Sequence, residues 1–126
     1  MIKKIGSNQN RSYFFLYSFI RMGYGFAVSA FGPLIPFLAV FYGVPETAFK
    51  FMFMCRSIGF LIGNVSAKFM HKYFNYHNLI IIGLGIASFA HILFAVTTTI
   101  PQQSIWLFII SLAVGLVEVY CSLALL

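Results

Sequence analysis

Four apolar stretches take up almost the whole chain, running roughly over residues 17–42, 47–69, 79–97 and 105–126. Each is near the ~20 residues that a helix needs to cross a ~30 Å hydrocarbon layer. Such a sequence is badly matched to water. Sixty-one per cent of its residues are hydrophobic and only 8% are charged, whereas a water-soluble domain carries about a quarter charged residues. Inside lipid no water is present to satisfy backbone N–H and C=O groups, so a spanning segment has to be a helix or part of a closed barrel. None of the four stretches alternates apolar with polar residues. The expected fold is therefore an all-α integral membrane protein of four transmembrane helices, with the lipid bilayer as its first partner.

The connections and charges give a topology. Gly43-Val44-Pro45-Glu46 makes a tight first turn, and Thr98–Ser104, with Pro101, makes the third. A tail over residues 1–16 holds Lys3, Lys4 and Arg11, and the second loop, around Lys68–Asn78, holds Lys68 and Lys72 with two histidines. Glu46 and Lys50 cancel beside the first turn, and the third carries no charge. The positive-inside rule then places the tail and the second loop in the cytoplasm and makes the protein multi-pass with a cytoplasmic N-terminus. Which membrane holds it is left open. The +6 formal charge is accounted for in this way, and with no basic domain to display it, no nucleic-acid partner is expected. A cleaved signal peptide has the basic front and Val28-Ser29-Ala30 in its favour, but Arg21 interrupts its apolar core and the apolar run continues to Tyr42.

Glu118 stands out against this background. It is one of two acids in the chain, and it lies within the fourth apolar stretch. An ionisable group at membrane depth costs roughly 2.5–3.5 kcal/mol on insertion scales and marks ion or substrate paths. At helical spacing its neighbours are Ser111, Val114, Gly115, Cys121, Ser122 and Leu125. That face is mostly small or weakly polar, and it suits contact with protein or a wet cavity better than contact with lipid. A carboxylate that can gain or lose a proton as a cavity opens and closes suits proton coupling, and a carboxylate is equally a sodium ligand. The plainer role is to pin helix packing or to snorkel at a membrane end.

Arg56 is the second unusual charge, about ten residues into its span and so ~15 Å deep. Glu118, counted from the same outer face, lies ~20 Å deep. An Arg56–Glu118 pair is the expectation, with a substrate-binding role for Arg56 towards an anionic or hydroxyl-rich solute as its extension. Arg21 reads as sitting a turn or two inside the cytoplasmic boundary and snorkelling outwards. Tyr24, three residues on, offers a hydroxyl or a stacking face to a substrate. His91 reads as a hydrogen-bonded core histidine. Gly59-x-x-x-Gly63, extended by Ala67, Ser111-x-x-x-Gly115 and Gly83-x-x-x-Ala87 are small-residue faces of the kind that let helices approach closely.

Several chemistries have no residues to support them. No nucleotide-binding P-loop, HExxH, GxSxG or Cys-x-x-Cys occurs, so neither an enzyme, a cofactor nor a metal site is expected. Cys55 and Cys121 both lie in apolar runs, and a disulfide is not expected.

The order of features resembles the first third of a major facilitator superfamily transporter, and more narrowly its fucose-permease-like branch, which includes sodium-dependent glucose transporter-like proteins. Phe31-Gly32-Pro33-Leu34-Ile35-Pro36, Gly59-Phe60-Leu61-Ile62-Gly63 and Gly115-Leu116-Val117-Glu118 carry the resemblance, which covers about residues 17–126. It implies four helices of the N-terminal six-helix half of a twelve-helix fold, alternating access, and Glu118 as the acid of cation coupling and sugar recognition. Ser122 stands where that branch often has an asparagine, which implies a substrate-facing position. The chain departs from the superfamily's Gly-x-x-x-Asp-Arg-x-Gly-Arg loop, because Ala67 and Lys68 follow Gly63 where an Asp-Arg pair would stand. It also lacks the permeases' first-helix acid. Sodium coupling and uncoupled flux therefore stand beside proton coupling.

The expectation is a fragment of a secondary active transporter for a small polar solute, a sugar among the candidates, moving with H+ or Na+ and completed by the missing remainder of the transporter. The chain stops at Leu126 within or at the end of its fourth helix without a charged flank, which fits a fragment. The rival expectation is a four-span accessory subunit of a larger membrane complex, with no transport activity of its own. A weaker third is a self-assembling pore with Glu118 as a ring of charge.

Overall fold

In the computed structural model the backbone is described for residues 7–125 and the side chains for residues 11–124. Lys3 and Lys4, assigned above to the cytoplasmic tail, lie outside the described residues. Among the described residues the chain is all helical: α1 (Ser7–Tyr42), a 3-10 turn (Glu46–Phe49), α2 (Lys50–Met70), α3 (Tyr76–Val96) and α4 (Ile100–Leu125). Four helical segments are long and apolar enough to cross a membrane: Arg11–Tyr42, Glu46–Met70, Tyr76–Val96 and Ile100–Ala124. The chain is on that ground a multi-pass membrane protein.

Two helix starts differ most from the sequence reading, each for a local reason. α1 begins ten residues before Tyr17, at Ser7, because nothing between the two breaks a helix. It also continues through Pro33 and Pro36. α4 begins at Ile100 rather than near Ile105, with Pro101 in its first turn. There proline's missing N–H would have had no partner anyway. The first turn falls where expected. Gly43 takes a left-handed φ of +63°, which costs glycine nothing. Its N–H reaches the Val40 carbonyl (3.2 Å) and the Val44 N–H reaches Ala39 (3.1 Å), the paired bonds of a Schellman cap.

α4 is the centre of the bundle. It packs closely against both α2 and α3, and only lightly against α1. The small-residue faces explain the closeness. A Cβ placed on Gly59 would lie 2.5 Å from the carbonyl oxygen of Phe108, and one on Gly115 would lie 2.6 Å from that of Phe60. A Cβ on Gly63 would run into the Leu112 carbonyl. The backbones of α2 and α4 thus touch at three successive levels, where only glycine fits. Gly83 serves α3 in the same way, against the Val117 side chain. In lipid, where helices gain no hydrophobic drive to associate, such close packing is a main source of association. Buried Tyr120 adds a directed contact, its hydroxyl donating to the Ala67 carbonyl at 2.6 Å.

The bundle has two finished ends. At one, Tyr17, Ala67, Leu79, Leu116 and Tyr120 share a core, and the Tyr17 hydroxyl lies 3.5 Å from His77 Nδ1. At the other, Ala39, Phe49, Met52 and Leu107 pack together. There Gln103 donates to the Tyr42 hydroxyl (2.7 Å) and to the Thr97 carbonyl (2.9 Å), tying α1 to the start of α4. Between these ends α1 makes few backbone contacts and reaches the other helices through side chains: Tyr24 packs on the cluster of Ala90, Ile110 and Val114, and the Phe31 ring lies 5.9 Å from that of Phe94.

Candidate functional site

The sparse packing of α1 leaves a partly open cavity of ≈ 930 Å³, lined by residues of all four helices. The wall from α4 rises from Leu107 through Ile110, Ser111, Val114 and Val117 to Glu118. The opposite wall is α1, from Ile20 to Leu34. α2 contributes Arg56, Ser57 and Asn64, and α3 contributes His91 and Phe94. Most of the lining is apolar, and a few polar groups converge in it. This is the usual make-up of a small-molecule site.

Glu118 faces this space, and its partner there is Arg21. A guanidinium nitrogen of Arg21 lies 3.6 Å from Oε1 of Glu118, with 45% and 44% of the two side chains uncovered. The separation exceeds the roughly 2.7–2.9 Å of a charge-assisted hydrogen bond. The pair is thus an electrostatic contact across the cavity edge, joining α1 to α4 where few other contacts do.

Arg56 does not pair with Glu118, contrary to the sequence reading. Its guanidinium carbon stands 5.8 Å from the centroid of the Phe31 ring, within cation–π range. Among the described residues its N–H groups have no hydrogen-bond or salt-bridge acceptor. Depth counting puts Arg56 and Glu118 at comparable heights, but it carries no information about direction around the helix. Arg21 is turned towards Glu118 and the cavity.

The remaining expected positions divide. Tyr24 lines the cavity beside Arg21. Ser122 does not line it; its hydroxyl donates to the Glu118 carbonyl at 2.8 Å, a bond within α4. His91 donates through Nδ1 to the Ala87 carbonyl at 2.7 Å, as a structural histidine would, but its ring also borders the cavity. Ser57 and Asn64 do not stand out in the sequence. Asn64 is the more notable of the two, because its buried Oδ1 has no hydrogen-bond partner. The signal available was its place one residue after Gly63 and eight after Arg56, inside the apolar part of the helix.

No group of three or more His, Cys, Asp or Glu side chains able to hold a metal ion occurs among the described residues. Both cysteines are free. Comparison with protein-family models, with curated proteins and with solved structures finds no match.

Proposed function

We propose that this chain forms part of a secondary active transporter that moves a small polar solute by alternating access, with Glu118 as its coupling acid. The observation that carries the reading is the Arg21–Glu118 contact at the edge of the ≈ 930 Å³ cavity. It is an ion pair between two candidate membrane spans, the helix with the fewest contacts and the helix with the most. Charges kept within a bilayer are expensive and concentrate on ion and substrate paths.

The mechanism follows from electrostatics. A proton or a sodium ion on the Glu118 carboxylate cancels the charge that holds Arg21. α1 then loses its main attraction to α4 and swings, while α2, α4 and α3 stay locked through their backbone contacts. Return of the carboxylate to its bare anionic form draws Arg21 back. Binding and release of the ion are in this way linked to which side of the cavity is open. Arg56 and Tyr24 face the solute. The basic residues favour a cytoplasmic N-terminus and α2–α3 loop, and in this reading further helices of the carrier cover the outward face of α1. The relation to the fucose-permease-like branch of the major facilitator superfamily is part of this proposal.

The test is solute counterflow and gradient-driven uptake in proteoliposomes holding the whole native carrier. The panel is small neutral, anionic and cationic solutes, under proton and sodium gradients in turn. Glu118→Gln is expected to abolish gradient-driven accumulation while sparing exchange. Movement of no solute at all would contradict the carrier reading and favour the accessory subunit, for which the exposed face of α1 would be the contact with fixed partners.

A further inference from the structure

The charges lining the cavity do not cancel. Two guanidinium groups, Arg21 and Arg56, face one carboxylate, Glu118. Arg21 is matched to that carboxylate at 3.6 Å, and Arg56 is left with an aromatic face and no anion. A guanidinium presents five N–H donors in a planar fork that fits a carboxylate in bidentate fashion. Cation–π contact with Phe31 satisfies its charge in part and none of those donors. A part-buried cation with unused donors, in a cavity that Ser57 and Ser111 also line, is complemented by an anion that also accepts and donates hydrogen bonds.

We propose that the solute is a small organic monoanion, a hydroxyl-bearing monocarboxylate, whose carboxylate docks on Arg56 against the Phe31 ring. This deepens the carrier reading and rests on it. With the anion bound, the positive and negative charges facing the cavity are equal in number, and the occupied site carries no net charge into the membrane. Occupancy is also separated from coupling. Arg56 on α2 reads the solute, and the Arg21–Glu118 pair between α1 and α4 reads the coupling ion. The cavity, at ≈ 930 Å³, holds far more than an inorganic halide, which is why an organic anion is specified.

The test uses detergent-solubilised whole carrier with Cys55→Ser in the background, and the thermal unmasking of buried Cys121 by a thiol-reactive dye. Matched probes are added at equal concentration: lactate against lactamide, and D-glucuronate against D-glucose and D-glucosamine. The proposal expects at least one carboxylate to raise the melting temperature while its neutral and cationic counterparts do not. Arg56→Gln, with each variant read against its own ligand-free melting temperature, is expected to weaken that carboxylate by at least ~30-fold, with partial recovery in Arg56→Lys. Lys72→Gln removes the same charge outside the cavity and is expected to leave the shift intact. Equal shifts from glucose and glucuronate, or a carboxylate shift that survives Arg56→Gln, would overturn the proposal. So would a shift given by phosphatidylglycerol and by no carboxylate, since the anion would then be a lipid headgroup. Uptake of neutral sugars without anions in the proteoliposome assay would remove this inference and leave the carrier standing. Failure of every solute there would remove both.

Discussion

α1 and α4 are both long, apolar helices with one charge facing the same cavity, yet they are held in opposite ways. Within their most apolar windows 6% of α1 is buried against 56% of α4. Glycines show the same contrast. Those at 59, 63 and 115 lie against backbone across the α2–α4 seam, while a Cβ added to Gly23, Gly25 or Gly32 of α1 would meet nothing within 4 Å. Composition alone therefore does not say whether a glycine is a packing device. The difference suggests a division of labour, with α2, α4 and α3 as a fixed unit and α1 as a helix held at its two ends and, between them, by the Tyr24 and Phe31 side chains and one ion pair.

The largest effect expected from breaking this contrast lies in the seam. Gly63→Leu drives a side chain into the Leu112 carbonyl, which cannot rotate away, and is expected to cost about 3 kcal/mol or more. Gly23→Leu, the same change in open space on α1, is expected to stay within about 0.5 kcal/mol. Thermal unfolding in detergent reads both, and similar losses would erase the distinction between the helices.

Next comes the ion pair. Arg21→Gln or Glu118→Gln is expected to raise amide hydrogen exchange through the middle of α1 several-fold, with α2 and α4 unchanged. The charge-reversed double variant Arg21→Glu/Glu118→Arg is expected to restore protection. Exchange rising equally across all four helices would mean the pair supports the whole bundle and not α1 in particular. The smallest effect is Tyr120→Phe. It removes a buried hydrogen bond to Ala67 and is expected to cost about 0.6 kcal/mol, in line with interhelical hydrogen bonds in other membrane proteins.

The seam was legible in the sequence because its cause is local. Gly59-x-x-x-Gly63-x-x-x-Ala67 and Ser111-x-x-x-Gly115 put small residues on one helix face whatever the rest of the chain does. The four spans were legible for a similar reason, since hydrophobic length is additive along the chain. The pairing of Glu118 was not. Depth gives height along the membrane normal, but a pair also needs two side chains on facing surfaces, and rotation about each helix is set by neighbours far away in sequence. Asn64 and Ser57 escape notice because a neutral polar residue carries little penalty in a hydropathy profile.

The central claim, a cavity opened alternately to the two sides by movement of α1 against a fixed unit, is tested most directly by accessibility. Ser57, on the cavity wall, is replaced by cysteine with Cys55→Ser in the background and Cys121 left in its buried position. A membrane-impermeant thiol reagent is then applied to right-side-out and inside-out native vesicles. The account predicts labelling from both faces, with Glu118→Gln shifting the balance strongly towards one. Labelling from a single face only, unchanged by Glu118→Gln, would contradict it.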